Sequence, residues 1–139
     1  MSKLQIIIDS IAGAVGAVLG FMYGEVTGIF WALIVFMATD YITGVVVAII
    51  NKNLSSEVGF KGLAKKLLIL VFVSVGHITD TYILGGASVA MTAVMLFYLA
   101  NEGLSIIENA GNLGLPVPKK LKDIMAQLKK ESEEKNDED

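Results

Sequence analysis

The chain has 139 residues, of which 54% are hydrophobic, and its mean hydropathy of +0.65 is high for a soluble domain of this length. It contains no cysteine and one histidine, which excludes disulfides, thiolate metal sites, cysteine nucleophiles and a histidine-rich metal centre. The net charge of −3 says little about partners, because six acids and only one lysine lie in residues 131–139. The composition indicates a one-domain membrane protein.

The positive charges divide the chain into lysine-containing segments and apolar segments. All 11 are lysines, and they lie at the N-terminus, in residues 52–66 and in residues 119–135. Residues 4–51 and 67–118 therefore carry no permanent positive charge. Each is long enough for two membrane crossings at about 20 residues per crossing. The pattern predicts two membrane hairpins anchored on one side.

Four apolar segments follow in chain order, and they predict an all-α transmembrane domain over residues 1–110. The turns between the first and second segments and between the third and fourth are short and lack lysine. Because lysine-rich loops are retained on the cytoplasmic side, both termini and the middle loop are expected in the cytoplasm. The expected spans are residues 4–23, 29–50, 63–84 and 87–107.

The first segment gives the weakest signal, because Asp9 and several glycines lower its apolarity. We expect four spans. If this segment lies on the membrane surface, three crossings remain and the C-terminus is still inside. Ala12-Gly13-Ala14 resembles a signal-peptide cleavage site, but the apolar run continues to Met22, so we expect no cleavage.

Residues 111–139 form a tail of different character, expected in the cytoplasm. Glycines and prolines up to Pro118 interrupt any helix, and apolar residues then recur at spacings of three and four, which predicts an amphipathic helix over residues 118–130. This helix is either solvated or lies on the anionic inner leaflet, where each nearby lysine contributes about 1 kcal/mol. The last nine residues are expected to be disordered. The lysines expected at the membrane surface are Lys61, Lys65, Lys66, Lys119, Lys120 and Lys122.

Asp40 lies in the middle of the most apolar segment. A charge at the bilayer centre costs about 2.5–3.5 kcal/mol, and the segment's Leu, Ile, Val and Phe residues offset it at about 0.3–0.6 kcal/mol each. Two interpretations remain open: a structural hydrogen bond to a neighbouring Thr or Tyr, or a polar contact that governs oligomerisation or lines a pore. The candidates for such contacts are Asp40, Thr43, Gly44, His77 and Glu102.

His77 is expected at a depth not far from Asp40. A lone histidine in an apolar helix is either hydrogen-bonded or part of a proton relay. Glu102 and Glu108 lie near the inner end of the fourth segment, where each either pairs with Lys65 or Lys66 or extends to the interface.

Glycines recur every four residues near the first turn, which is expected to align small residues on one helix face. Such a face lets another helix approach closely, within one subunit or between subunits. The residues are Gly16, Gly20, Gly24 and Gly28.

No pattern in the sequence is typical of an enzyme. There is no phosphate-binding glycine loop, no metal-ligand spacing and no nucleophile–histidine–acid set. No basic–aromatic stretch indicates nucleic-acid binding. We expect no catalytic residue, cofactor or metal, and we expect the lipid bilayer and other copies of the chain as partners.

An ordered set of short motifs resembles the phage-lysis and toxin-secretion holin family of bacteriophages and Gram-positive bacteria. The resemblance runs from about residue 29 to residue 130, and it is specific because the pieces occur together in order. They are Asp40-Tyr41-Ile42-Thr43-Gly44, Asn51-Lys52, Leu54-Ser55-Ser56, Gly59-Phe60-Lys61-Gly62, Lys65-Lys66, Asn101-Glu102-Gly103-Leu104-Ser105-Ile106, Glu108-Asn109, Gly114-Leu115-Pro116 and Pro118.

This resemblance implies a small protein that accumulates in the bacterial cytoplasmic membrane and assembles into lesions. Such lesions release an endolysin, which causes timed host lysis, or a large toxin. Family members are often drawn with three spans. Two alternatives remain: a small four-helix transporter that uses Asp40, and an antiholin that regulates another holin.

Overall fold

The computed structural model describes the backbone of residues 1–137 and the side chains of residues 1–134. The expected all-α fold class is confirmed, and within the described residues there is no strand. The helices are α1 (Lys3–Tyr23), α2 (Gly28–Ile50), α3 (Ser56–Tyr82), α4 (Val89–Asn112) and α5 (Lys119–Asp137).

Serine caps and one glycine set three of the helix ends. Ser2 Oγ accepts the Gln5 N–H at 3.2 Å at the start of α1, and Ser55 Oγ accepts the Val58 N–H at 3.2 Å at the start of α3. Helix α1 ends at Gly24, whose φ of 63° is a backbone conformation that glycine adopts without strain. The turn to α2 follows directly.

Helix α4 is the centre of the bundle, since α2, α3 and α5 all pack against it. Helices α2 and α3 contact each other only slightly. Helix α1 packs mainly against α3, and its Tyr23 ring also contacts Phe30 of α2. At about 1.5 Å per residue, α1 to α4 are each roughly 32–40 Å long, which matches a hydrocarbon core of about 30 Å.

The apolar core occupies the half of the bundle near the α1–α2 and α3–α4 turns, which we call the turn end. Leu33 and Val73 are fully buried there, and Met37, Met91 and Met95 pack around them. Gly76 allows α3 to approach α4 closely, because a Cβ at this position would lie 2.8 Å from Met91 Cα. Side chains from α2, α3 and α4 therefore form one continuous core.

Asp80, near the end of α3, caps the N-terminus of α4. Its Oδ1 accepts the Ala90 N–H at 2.7 Å and its Oδ2 accepts the Met91 N–H at 2.9 Å. Ser88, the residue before α4, forms no side-chain cap bond, so Asp80 takes over this role. The carboxylate is also favoured there by the helix dipole, and the sequence analysis assigned it no function.

Three helices are long and apolar enough to cross a membrane: α1, α2 and α4. Helix α3, which carries Lys65, Lys66, His77 and Asp80, is not among these three candidates. Helix α3 begins at Ser56, before the span expected from residue 63, and α4 covers Val89–Asn112. A helix can extend beyond the part that crosses a membrane, so the expected spans stay predictions. The weakest apolar signal thus lies in α3, and not in the first segment as expected.

The expected disorder of residues 131–139 is wrong for residues 131–137, because α5 continues to Asp137. Pairs four residues apart support this extension. Gln127 Nε2 donates to Glu131 Oε1 at 2.9 Å, and Ser132 Oγ donates to the Leu128 carbonyl at 2.8 Å. The expected amphipathic helix of residues 118–130 is therefore longer than predicted. Residues 138–139 lie outside the described residues.

Helix α5 packs against α4 and is not separate from the bundle. Met125 Sδ lies 2.9 Å from the position that a Cβ on Gly103 would take, and a Phe36 ring atom lies 3.3 Å from the same position. Part of the apolar face of α5 is thus covered by protein. Neither of the two interpretations of this helix, solvated or lying on lipid, included this contact.

The cap on α4 can be tested by substitution. Asp80→Ala should lower the free energy of unfolding in detergent by about 1–3 kcal/mol, because two helix N–H groups lose their acceptor. Asp80→Asn should cost less, since its amide oxygen still accepts one bond. Ser88→Ala, the matched control, should change stability by less than about 0.5 kcal/mol. Equal losses for Asp80→Ala and Ser88→Ala would contradict the assignment.

Candidate functional site

A lysine and two carboxylates from three different helices meet in the half of the bundle opposite the turn end. Lys66 Nζ of α3 lies 2.8 Å from Asp40 Oδ2 of α2 and 2.6 Å from Glu102 Oε2 of α4. The three side chains are only 14%, 16% and 7% exposed, in the order Lys66, Asp40, Glu102. We call these three residues the ion triad. Charge-assisted hydrogen bonds of this length are among the strongest in proteins.

The three residues lie at similar heights in the bundle. At about 1.5 Å per residue, Asp40 lies roughly 18 Å from the turn end of α2, Glu102 roughly 20 Å from that of α4, and Lys66 roughly 24 Å from that of α3. In a hydrocarbon core of about 30 Å, this height is in the half farther from the turns. Their mutual contacts supply the pairing that a charge at this depth requires.

An amide and a hydroxyl complete the surroundings of Asp40. Asn109 Nδ2 of α4 is 3.2 Å from Asp40 Oδ1 and 2.9 Å from Thr43 Oγ1. The Thr43 hydroxyl donates within its own helix, with the Thr39 carbonyl at 2.8 Å. Among the described residues, no buried side-chain nitrogen or oxygen lacks a hydrogen-bond partner. The polar network is therefore satisfied within one copy of the chain.

Tyr41 joins α2 to the first turns of α3. Its ring packs on Gly59 and Gly62, where added Cβ atoms would lie 3.4 Å from its hydroxyl and 3.5 Å from its ring, respectively. Both distances are ordinary van der Waals contacts, so the Tyr41 ring fills the space between α2 and the first turns of α3. This packing sets the separation of the two helices next to the Asp40–Lys66 pair.

A cavity of about 380 Å³ lies beside the ion triad, between α2, α3 and α4. Its wall includes all three triad residues, and residues at helical spacing on each helix line it. On α4 these are Glu102, Ser105 and Asn109, which share one helix face. Two carboxylates face one ammonium, so the triad has a formal charge of −1 when both acids are ionised. Within the described residues no group of acids, histidines or cysteines could hold a metal ion.

Four of the five candidates for polar contacts lie together in this site: Asp40, Thr43, Gly44 and Glu102. Of the pairs proposed for the acids, Glu102–Lys66 is observed, and Lys66 is half-buried in the bundle. The position of Lys66 relative to a membrane surface stays a prediction. Glu108 and Lys65 form no ion pair within the described residues.

His77 lies roughly 8 Å from the turn end of α3, whereas Asp40 lies roughly 18 Å from that of α2, so His77 is not at the expected depth. It packs against Gly24 at the α1–α2 turn. It is also eleven residues from Lys66 on the same helix, a separation of roughly 16 Å along the axis. The expected depth was wrong because the apolar residues of α3 and those of α2 do not lie at the same height in the bundle.

The four glycines do not share one helix face. Gly16 and Gly20 lie on α1, but Gly24 caps this helix and Gly28 begins α2. Added Cβ atoms at Gly16, Gly20 and Gly28 would meet no atom within 4 Å, so these positions are open in one copy of the chain. Whether they pack against another copy stays a prediction.

Sequence reasoning missed Asn109 as a site residue, and it placed Lys66 in two groups without deciding between them. A signal for Asn109 existed: residues 102, 105 and 109 are the polar positions of one helix face in an apolar segment. Asp40 and Lys66 are 26 positions apart, and their contact depends on how α2 and α3 are rotated about their axes. The apolar residues of these segments do not indicate how each helix is rotated.

Comparison with known proteins identifies the family. The model of a bacteriophage holin family matches residues 17–130, most of the chain. The chain belongs to this bacteriophage holin family. A probable holin of Bacillus phage phi105 is 34% identical over 119 residues, which cover 86% of this chain and 87% of the relative.

Bacterial relatives of the chain are more similar in sequence. An uncharacterised protein of Listeria innocua is 42% identical over 127 residues, covering 89% of this chain and 90% of the relative. Another from Halalkalibacterium halodurans is 39% identical over 122 residues, covering 85% and 90%. No solved structure matches the chain.

Much of the motif set that resembles the family converges on the ion triad. Asp40 to Gly44 supply one wall, Gly59 and Gly62 seat Tyr41, and Lys66 provides the ammonium. Glu102, Ser105 and Asn109 supply the opposite wall. The spacing of these motifs therefore follows from the assembly of one polar site from three helices.

Substitution of Lys66 should lower the free energy of unfolding far more than substitution of Lys65. Lys66→Met should cost about 3–5 kcal/mol in detergent unfolding, because it leaves two buried carboxylates without a counter-charge. Lys65→Met, at an exposed position, should cost less than about 0.5 kcal/mol.

Adding Asp40→Asn and Glu102→Gln to Lys66→Met should recover part of the loss, since no charge then remains unpaired. Similar unfolding midpoints for the two single lysine variants would contradict the ion triad.

Proposed function

We propose that this chain is a holin that assembles in the bacterial cytoplasmic membrane and forms lesions. These lesions release an endolysin or a large toxin and so cause timed host lysis or secretion. The family supports a holin role. The observation that carries the step to a lesion is the ion triad, together with the polar wall beside it.

Polar side chains need different surroundings in a single subunit and in a lesion. A lesion must present polar groups to water, whereas a newly inserted subunit must hide them from lipid. In one copy of the chain, Asp40, Lys66 and Glu102 pair with one another and face the bundle interior. If α3 moves away from α2 and α4, the same groups line a water-filled surface. The pairing therefore keeps single subunits closed.

Self-association is proposed to use α1. Helix α1 has no buried residue except Tyr23, and within the described chain it contacts mainly α3, so most of its surface is available to lipid or to other subunits. Gly16 and Gly20 give this surface a narrow strip where a second helix can approach closely. Crowding of subunits would replace lipid on this strip with protein.

We also propose four crossings with both termini in the cytoplasm. The two lysine-rich lengths lie at the ends of α2, α3 and α4 away from the turn end, and lysines are retained on the cytoplasmic side. Helix α3 can serve as the fourth crossing because its deepest charges are satisfied: Lys66 by two acids and Asp80 by two N–H groups. Its remaining surface is apolar from Leu67 to Val75 apart from Ser74.

Two other functions remain as alternatives with defined tests. A transporter would need the Asp40 carboxylate free to bind its substrate, and the ion pair with Lys66 does not favour this. An antiholin would share the holin's sequence features. Co-expression with a known holin–endolysin pair separates the roles, because a holin advances lysis and an antiholin delays it.

Lesion formation is tested by expression at increasing membrane density in a bacterial host. We expect a sudden loss of membrane potential, recorded with a potential-sensitive dye, followed by lysis when an endolysin without its own export signal is present. Gly20→Leu should delay this loss several-fold at equal protein level, because the added side chain blocks close helix approach.

Val18→Leu is the matched control on α1, since Val18 is exposed and already bulky. It should leave the timing unchanged. An intact potential at high density of the unaltered chain would refute the lesion proposal. Equal timing for Gly20→Leu and Val18→Leu would refute the role of the α1 surface.

A further inference from the structure

The two halves of the bundle formed by α2, α3 and α4 differ in polarity. At the turn end the interior is filled by apolar side chains, and Leu33 and Val73 are 0% exposed. At the other end, which carries the lysines and which we call the lysine end, the interior is a cavity of about 380 Å³. The ion triad lies where the two halves meet.

The cavity exists because α2 and α3 barely contact each other. Tyr41 stands between them on Gly59 and Gly62, and it keeps their backbones apart at the lysine end. Besides the triad, Asn101, Ser105 and Asn109 of α4 face this space. A volume of this size holds on the order of ten water molecules, and its wall offers the several polar partners that each water needs.

We infer that this cavity is a water-filled vestibule in each single subunit, open at the lysine end, which admits small cations as far as the ion triad. The apolar core beyond the triad closes the path to the turn end. Cations are favoured at its base because two carboxylates face one ammonium there. Lys65 lies at the rim with an exposed side chain, so its charge is screened by water.

This vestibule goes beyond lesion formation, because it needs neither a second subunit nor lysis. It also explains how a triad within an apolar bundle tolerates an unbalanced charge: water on one side hydrates the carboxylates while lipid surrounds the helices. The proposed orientation of the chain decides only on which side of the membrane the vestibule opens.

The chain offers a direct test because it has no native cysteine. Single cysteines are placed at Ser105 and Ala48 in the cavity wall, and the full-length variants are studied in inverted membrane vesicles at low expression. Water-soluble thiosulfonates react with the thiolate, which forms only where water reaches the sulfur. Ile42→Cys is the control at similar height, since Ile42 is 62% exposed on the outside of α2 and does not line the cavity. Val73→Cys reports on the closed core.

We expect Ser105→Cys and Ala48→Cys to react at least about tenfold faster than Ile42→Cys and Val73→Cys. At Ser105→Cys, a cationic reagent should react faster than an anionic one of equal size. Rates at both wall positions as low as at Ile42→Cys would overturn the vestibule, and a faster anionic reagent would overturn its preference for cations.

Failure of this inference is distinguishable from failure of the lesion proposal. Labelling is measured below the density at which the membrane potential is lost, so it does not depend on lysis. A chain that lyses cells but shows no labelling difference refutes the vestibule alone. A chain that shows the labelling difference but never lowers the potential supports the vestibule and refutes the lesion.

Discussion

The structure depends on one electrostatic constraint: a charge within an apolar bundle must meet an opposite charge. Lys66 satisfies two acids at once, and these acids come from the two helices that α3 must join. Without the lysine, Asp40 and Glu102 would repel each other at low dielectric. The same pairing hides three ionisable groups from lipid and fixes how α2, α3 and α4 are rotated against one another.

The other parts of the molecule are arranged around this contact. Tyr41, Gly59 and Gly62 set the spacing of α2 and α3, and Asp80 ties α3 to the start of α4 at the turn end. Helices α1 and α5 lie outside this three-helix unit, against α3 and α4. A closed three-helix unit with peripheral helices suits a protein that inserts singly and associates later, as we propose for this member of the holin family.

The sequence predicted the helical class and the approximate extent of α1, α2 and α4, because lysine-free apolar runs are strong signals. It also offered the Glu102–Lys66 pair as one possibility. It could not predict the Asp40–Lys66 contact, because apolar periodicity is weak in fully apolar helices and their rotation is set by packing. The cap from Asp80 was missed because its partners are backbone N–H groups, which the sequence pattern does not mark. The length of α5 was underestimated because the acidic residues at its end were read as disordered, whereas side chains four residues apart form hydrogen bonds there.

Our central proposal is that the pairing of Lys66 with two acids lets α3 cross the membrane. The most direct test is the sidedness of the two loops that flank this helix, measured with single cysteines at Ser55 and Ala87 and a membrane-impermeant thiol reagent. The account predicts that Ser55→Cys is labelled only from the cytoplasm and Ala87→Cys only from outside. Labelling of both from the same side would contradict it, because α3 would then lie at the surface, where Lys66 needs no buried partner.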